Sequence, residues 1–360
     1  MIKCFEPTIG EEESQFVLGQ LKLKEIGFGD QVARFENRFR GMSGYVYNTG
    51  FNSASSAAYA LFSWLKELYG SCEVYTPSLT FCSPIWAALE NGHEIVFVDI
   101  DKNGLFSIDD YKKKKKQDSS KRKVVMPMMY GGVTTFDFSR FDGNEVTISD
   151  SAHAIHAPSE AGNPSATPEF TIFSFHPVKP ICMSNGGMLS TRNRSAHKYF
   201  NRYRNFGRVN TGVSYDIVQN GFNFYMNSLN AVIGLAQLNK VYEMRNQRAQ
   251  NFKYLKKRLE ALNISGFYMF EHDLLSSFYL CTFTSDFFSG DVIRFLEQRG
   301  IQATYHYPPL HRTTQFKTEC VLPNTEEVSQ HLVNLPIHQN LTDENLDKIV
   351  LAIADMKKKL

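Results

Sequence analysis

Lys179 stands in the stretch Phe175-His-Pro-Val-Lys179-Pro-Ile181, between the short apolar runs Thr171–Phe175 and Gly187–Thr191. An amine among Phe175, Pro177, Val178, Pro180 and Ile181 has its charged form disfavoured. Its pKa falls, and the neutral amine becomes a nucleophile. That is what a Schiff base with a carbonyl compound, or with pyridoxal phosphate, requires. The plain alternative is a surface lysine on a loop, and this window alone leaves both open.

Other stretches offer complementary chemistry. Ser53-Ala54-Ser55-Ser56 precedes an amphipathic run through Leu61, Phe62, Leu65 and Leu68. Small hydroxyl residues at a helix start cap orphan amides. They also make an anion site where amides and helix dipole hold a phosphate. Asp150 and His153 follow the apolar run Val146–Ile148, and Phe81 follows Glu73–Pro77. Asp150, His153 and His156 have D-x2-H-x2-H spacing, which a metal set could use, but hydrogen-bonding histidines are the simpler expectation. Ser174, His176 and Asp150 suggest a hydrolase triad, but the chain has no G-x-S-x-G elbow. Gly27-Phe-Gly29 lacks the third glycine of a dinucleotide fingerprint.

Positioning these residues falls to alternating strands and helices. Glu73–Pro77, Glu94–Val98, Val124–Met129 and Val146–Asp150 read as strands, with helices such as Pro84–Asn91 between them. That alternation predicts a doubly wound, mostly parallel sheet flanked by helices. Its ligands would bind beyond the carboxyl ends of the strands, where Asp150 and Phe81 fall. Residues 11–40 read as helix, broken at Gly27–Gly29. Residues 192–210 read as a basic, aromatic helix and loop. A helix opens after Gly221, and a long charged one over 240–262 links to a small C-terminal α/β domain. The expected division is a large domain over 1–245 and a small one over 246–360.

Composition narrows the function classes. The chain has 360 residues, 42% of them hydrophobic, and a formal net charge of +2. No global basic field points to nucleic acid. The run Lys112–Lys116, followed by Lys121, Arg122 and Lys123, reads as a solvated loop or helix end, with a phosphate patch the alternative. Six cysteines without metal-finger spacing fit a reducing cytoplasm. No apolar run approaches the roughly 20 residues of a membrane span, and the first residues lack a signal core. A soluble cytoplasmic protein is expected.

Taken together, the motifs resemble those of the DegT/StrS family of pyridoxal-phosphate-dependent nucleotide-sugar aminotransferases, nearly end to end. F-S-F-H-P-V-K-P-I followed by G-G-M-L-S-T is the family's most specific signature. D-S-A-H-A at 150–154 is similar to its D-A-A-H-A, and P-S-L-T-F at 77–81 to its P-S-x-T-F/W. G-F-N-F-x-M-x-S-L at 221–229, H-Y-P-P-L-H at 306–311 and L-P-I-H at 335–338 match its later signatures.

The resemblance implies the type I aminotransferase fold and pyridoxal 5'-phosphate as cofactor, with no metal. Lys179 would carry the cofactor and move a proton as base and acid. Asp150 would keep the pyridine nitrogen protonated, making the ring an electron sink. Phe81 would stack on the ring, and His153 would lie near its phenolic oxygen. Ala54, Ser55 and Ser174 would hold the phosphate, with Asn223 reaching it from the partner of a homodimer. Asn185, His306, Tyr307 and His311 are candidates to line the substrate cleft.

The implied reaction moves the amino group of L-glutamate to a nucleotide-linked keto-deoxy sugar. The best specific candidate is dTDP-4-keto-6-deoxyglucose. A C-3 keto-sugar, a dehydratase and a non-catalytic regulator of the same fold are the alternatives. The family's dehydratases replace the lysine by histidine, so Lys179 speaks against that activity. Departures from the pattern are Ser184-Asn185 for G-E, Ala54-Ser55 for G-T, Tyr225 for arginine, Met128 for histidine, and Ser83 to Trp86 for A-T-A-N. They suggest a sugar specificity of the chain's own.

Overall fold

The structure is a computed structural model and describes residues 1–115, 119–156 and 167–359. The chain opens with α1 (Glu11–Leu23), α2 (Asp30–Ser43), β1 (Tyr47–Phe51) and α3 (Ala54–Tyr69). Next come β2 (Glu73–Pro77), α4 (Cys82–Glu90), β3 (Glu94–Val98), α5 (Ile108–Lys114), β4 (Lys123–Val125) and β5 (Val146–Ser151). Then follow β6 (Phe170–Ser174), β7 (Gly187–Thr191), α6 (Arg194–Tyr203) and the hairpin β8 (Arg208–Asn210) and β9 (Tyr215–Ile217).

The central sheet has the order β1-β7-β6-β5-β4-β2-β3. Strands β3, β2, β4, β5 and β6 are mutually parallel, and β7 runs antiparallel to both its neighbours. Helix α3 covers one face with Ala57, Leu61, Phe62 and Leu65 against Ile148, Ile172 and Leu189. Phe35 and Phe39 of α2 cover the other, edge-on to Phe173 and Phe175. Burying such side chains stabilises by roughly 1.5–3 kcal/mol each. The crossover helices therefore hold the strand ends, and the residues on them, in fixed positions.

Helix α7 (Ser228–Glu260) is continuous where two helices, 221 onward and 240–262, were expected, and 245/246 falls inside it. No proline interrupts the run, so nothing ends the helix at the change of composition. Strands β10 (Tyr268–Met269), β11 (Cys281–Thr284) and β12 (Val333–Leu335) form a second, antiparallel sheet. Helices α8 (Ser289–Glu297), α9 (Pro323–His331) and α10 (Asp343–Lys359) accompany it. Leu255, Leu259, Phe283, Val333, Ile349 and Ile353 share one core there, and Ile2 from the chain start joins it.

The strand expected over Val124–Met129 is three residues long. Pro127 has no amide to donate and interrupts the ladder. The lysine run ends α5, as a helix end does, and two of its cations are paired. Lys114 meets Asp110 at 2.8 Å, and Lys115 meets Glu145 and Asp142 at 2.6 Å each. Lys116 lies outside the described residues. Among the described residues, no helix is long and apolar enough to cross a membrane.

Candidate active site

Three turns bring the chemistry together. The first joins β6 to β7, where Phe175 donates its amide to the Gly186 carbonyl at 2.9 Å and Met183 to that of Phe175 at 2.9 Å. Inside that turn the Lys179 amide donates to the His176 carbonyl at 2.8 Å. The second is the end of β5, where the Asp150 amide donates to Pro127 O and its carbonyl accepts from Met129 N, both at 2.9 Å. The third is the entry to α3, capped by Ser53, whose hydroxyl accepts the Ser56 amide at 3.1 Å.

These turns surround a cavity of about 320 Å³. Lys179 and Asp150 line it, with Ala54 and Ser55 of the α3 start, Ser174 of β6, and Phe81. Asn185, His306 and Tyr307 also line it. Among the described residues, Asp150 is the one carboxylate in the lining, and Lys179 the one lysine or arginine. The first amides of a helix have no partner within it, so Ala54 and Ser55 present donors and the positive end of the dipole. The Ser55 hydroxyl lies 2.6 Å from that of Ser83.

Electrostatics match the geometry. Burial pushes the Lys179 amine down to about 7, opposed by the Asp150 carboxylate. Burial raises the Asp150 carboxyl above its usual range, opposed by a 3.0 Å bond from the Ala152 amide and by Lys179. His306 is pushed down to about 4 by burial and then by Lys179, and His153 well below its ordinary value by the same causes. The imidazoles are therefore neutral at pH 7 and leave Lys179 as the only titrating cation of the lining among the described residues.

Three expected residues lie elsewhere. His311 does not line this cavity: it is fully buried, with Nδ1 2.7 Å from the Ser78 hydroxyl and Nε2 3.2 Å from Glu326. It ties α9 to the loop after β2, which is a packing role. His153 lies one layer behind the lining, with Nε2 2.8 Å from the Tyr307 hydroxyl, and its buried Nδ1 has no partner among the described residues. Asn223 is exposed, outside the lining, and its carbonyl accepts from the Asn52 amide group at 3.2 Å. The possible metal set does not assemble, since His156 turns away to the Met42 carbonyl at 3.1 Å.

One lining residue has no motif to announce it. Tyr279 is 2% exposed, and its ring centroid lies 4.6 Å from the Lys179 nitrogen. The Gly131 carbonyl accepts its amide at 2.9 Å, and that of Gly132 accepts Ser277 at 2.8 Å. Both glycines have positive φ, +68° and +95°. A β-carbon on Gly132 would meet the His153 carbonyl at 2.8 Å. The turn that carries Tyr279 to the lysine therefore needs glycine there.

A buried lysine of lowered pKa sharing a cavity with a buried carboxylate, beyond the strand ends of a mostly parallel sheet and beside a helix N-terminus, fits a type I pyridoxal-phosphate aminotransferase fold. The chain belongs to the DegT/DnrJ/EryC1/StrS aminotransferase family, whose profile matches residues 7–354. The spore coat polysaccharide biosynthesis protein SpsC of Bacillus subtilis is 25% identical to it, over 98% of this chain and 96% of its own. The UDP-4-amino-4,6-dideoxy-N-acetyl-beta-L-altrosamine transaminase of Helicobacter pylori is 24% identical, over 97% and 96%. Among solved structures, Helicobacter pylori PseC, an aminotransferase involved in the biosynthesis of pseudoaminic acid, matches with a TM-score of 0.91. It is 23% identical over 100% of both chains. The Streptococcus pneumoniae protein Spr1654, solved in a PLP-form, matches at 0.88 and 24% identity over 99% of each chain. At these identities the structural likenesses establish the fold.

Pyridoxal phosphate is the cofactor of this family, and the residues present fit it. Lys179 would supply the amine, and Asp150 a carboxylate for the pyridine nitrogen. The Ala54 and Ser55 amides with the Ser55 and Ser174 hydroxyls would supply donors for the phosphate. Gly187 leaves room for that cradle, since a β-carbon there would sit 2.4 Å from the Ala54 nitrogen.

Proposed function

We propose that this protein is a sugar aminotransferase that takes the amino group of L-glutamate and gives it to the ketone of a nucleotide-linked keto-deoxy sugar. The carrying observation is the Lys179 amine, pushed down to about 7 within a cavity that Asp150 also lines, the only carboxylate there among the described residues. Near neutral pH such an amine exchanges between base and acid, as a proton carrier must. The bound cofactor supplies an electron sink for the proton transfer at the substrate carbon.

Around it, the chain's residues have separate tasks. Lys179 takes and returns the proton. Asp150 keeps the opposite end of the site negative. Phe81 and Tyr279 exclude water from two sides. His306, Tyr307 and Asn185 line the approach of the sugar. A homodimer completes the site with Asn223 of the partner subunit, a reading supported by that residue's exposure here. Work in the cytoplasm is consistent with six cysteines that are all free.

Amination at C-4 of dTDP-4-keto-6-deoxyglucose, giving a 4-amino-4,6-dideoxyhexose, is the specific substrate proposed. A UDP-linked 4-keto sugar is the second reading, favoured by the name of the Helicobacter pylori relative. The test is the absorbance of purified protein with pyridoxal phosphate, before and after L-glutamate, followed by a panel of dTDP-, UDP- and GDP-linked keto-sugars. Loss of the visible band with glutamate, and its return with a 4-keto sugar, is the expected result. A colourless protein, or a visible band that survives Lys179→Ala, would remove the assignment.

A further inference from the structure

The turn that opens α3 and the segment carrying Asn223 meet at Asn52. Its backbone amide donates to the Phe224 carbonyl at 2.8 Å. Its side-chain nitrogen donates to the Asn223 carbonyl at 3.2 Å. Its side-chain oxygen accepts the Ser56 hydroxyl at 2.5 Å. Ser56 in turn lies 2.8 Å, hydroxyl to hydroxyl, from Ser53, which caps α3 and lines the cavity. A backbone bridge between Phe51 and Tyr225 flanks the contact. Asn52 thus bonds both to the cradle of its own site and to the residue that faces outward.

Buried support reaches the same strand. The Glu36 carboxylate accepts the Gly50 amide at 2.7 Å and also pairs with Arg204. Arg204 donates to the Gly50 carbonyl at 2.6 Å, and its backbone carbonyl accepts the Phe224 amide at 3.0 Å. The strand before the cradle and the segment 223–224 are therefore held as one unit by two independent sets of bonds.

Resting on the shared-site reading above, we propose that Asn52 is a positioning residue acting across the dimer. It fixes the Asn223 backbone relative to the cradle of its own subunit and so sets where Asn223 reaches into the partner's site. Cofactor binding in one subunit then depends on Asn52 of the other. An amide suits this role because it donates to one carbonyl and accepts one hydroxyl at once.

The test uses hybrid dimers assembled from two differently tagged chains. One chain is wild type. The other carries Lys179→Ala, so that only the wild-type chain's site can form the visible lysine-bound band. Into the Lys179→Ala chain is added Asn52→Asp, which keeps the acceptor for Ser56 and loses the donor to Asn223, or, as a control, Asn223→Ala. Pyridoxal phosphate is titrated into the cofactor-free hybrid and the visible band is read.

Loss of one positioning hydrogen bond should weaken binding about three- to tenfold in a site whose own chain is wild type throughout. An effect of Asn223→Ala without one of Asn52→Asp overturns the proposal alone. No effect of either removes the shared-site reading and the proposal with it. A role for Asn52 confined to capping its own helix would leave the wild-type chain's site unchanged, which is the overturning outcome.

Discussion

The Lys179 nitrogen lies 4.6 Å from the centre of the Tyr279 ring, over its face. An aromatic face attracts an ammonium by roughly 0.5–2 kcal/mol. The ring therefore opposes part of the burial that depresses the amine, and it fixes where the amine points. Phe5 stacks on Tyr279 with centroids 5.2 Å apart, so the ring itself has little freedom. Tyr279→Phe keeps the ring and should change cofactor loading by less than about twofold. Tyr279→Leu removes the face, so the Lys179 pKa should fall further, while the amine loses its fixed direction and should load about tenfold more slowly at pH 9, where it is neutral in both proteins. Stopped-flow absorbance of the cofactor-free protein mixed with pyridoxal phosphate checks both. Equal behaviour of the two variants would show that the ring only fills space.

Asp150→Asn separates holding the cofactor from using it. The carboxylate is 3% exposed and bonded to the Ala152 amide, which an asparagine oxygen can still accept. The variant should fold and show the visible lysine-bound band. Its transamination rate should fall by about 10²–10⁴, the range expected when a positioned charged group is lost from proton-transfer chemistry. A variant within about tenfold of wild type would remove Asp150 from the partner role assigned to it.

The depressed Lys179 pKa has a sign for stability. In the unfolded chain a lysine titrates near 10.4, whereas in the folded protein without cofactor this one titrates at about 7. Between those values the unfolded chain binds more protons, so folding stability from this group rises with pH across that window. Below about pH 7 both states carry the proton, and the full cost of a buried ammonium is present. Lys179→Met in the cofactor-free protein should therefore stabilise most below pH 7, by about 1–3 kcal/mol. Denaturant titrations at pH 6 and pH 9 give the check, and a Met advantage larger at pH 9 would contradict the sign. The loading rate of wild type should rise with pH through the same value, because only the neutral amine attacks.

Sequence patterns exposed most of this because most of it is local. Lys179 sits among prolines and apolar residues within a few positions, and Asp150 ends a β-branched run. The α3 entry is written in consecutive small hydroxyl residues. Tyr279 was not legible, since its position depends on a contact with Gly131, far away in the chain. His311 misled for the converse reason. It belongs to a run whose neighbours His306 and Tyr307 line the cavity, but the short helical turn at Leu310–Arg312 rotates it inward to Ser78 and Glu326. The length of β4 was overread because Pro127 breaks the ladder inside an apolar run.

Gly187 makes a prediction that joins fold and site in one atom. It opens β7, paired with Ser174 of β6 on one side and Phe51 of β1 on the other. The start of α3 passes so close above it that a β-carbon would lie 2.4 Å from the Ala54 nitrogen and 2.5 Å from the Ser53 carbonyl carbon. Those contacts are with backbone, which cannot rotate away, so the strand or the helix entry must move. Overpacking of this kind costs about 1–3 kcal/mol. The displaced atoms are the Ala54 amide proposed to hold the phosphate and the Ser53 cap beside it. Gly187→Ala should therefore lower thermal stability and weaken pyridoxal phosphate binding together, by about tenfold or more for the latter. Gly143, in open space, gives the contrast: Gly143→Ala, strained only by its positive φ of +79°, should lower stability and leave cofactor affinity unchanged. If Gly187→Ala lost stability but bound cofactor as wild type does, the cradle could not be where the α3 entry meets β7.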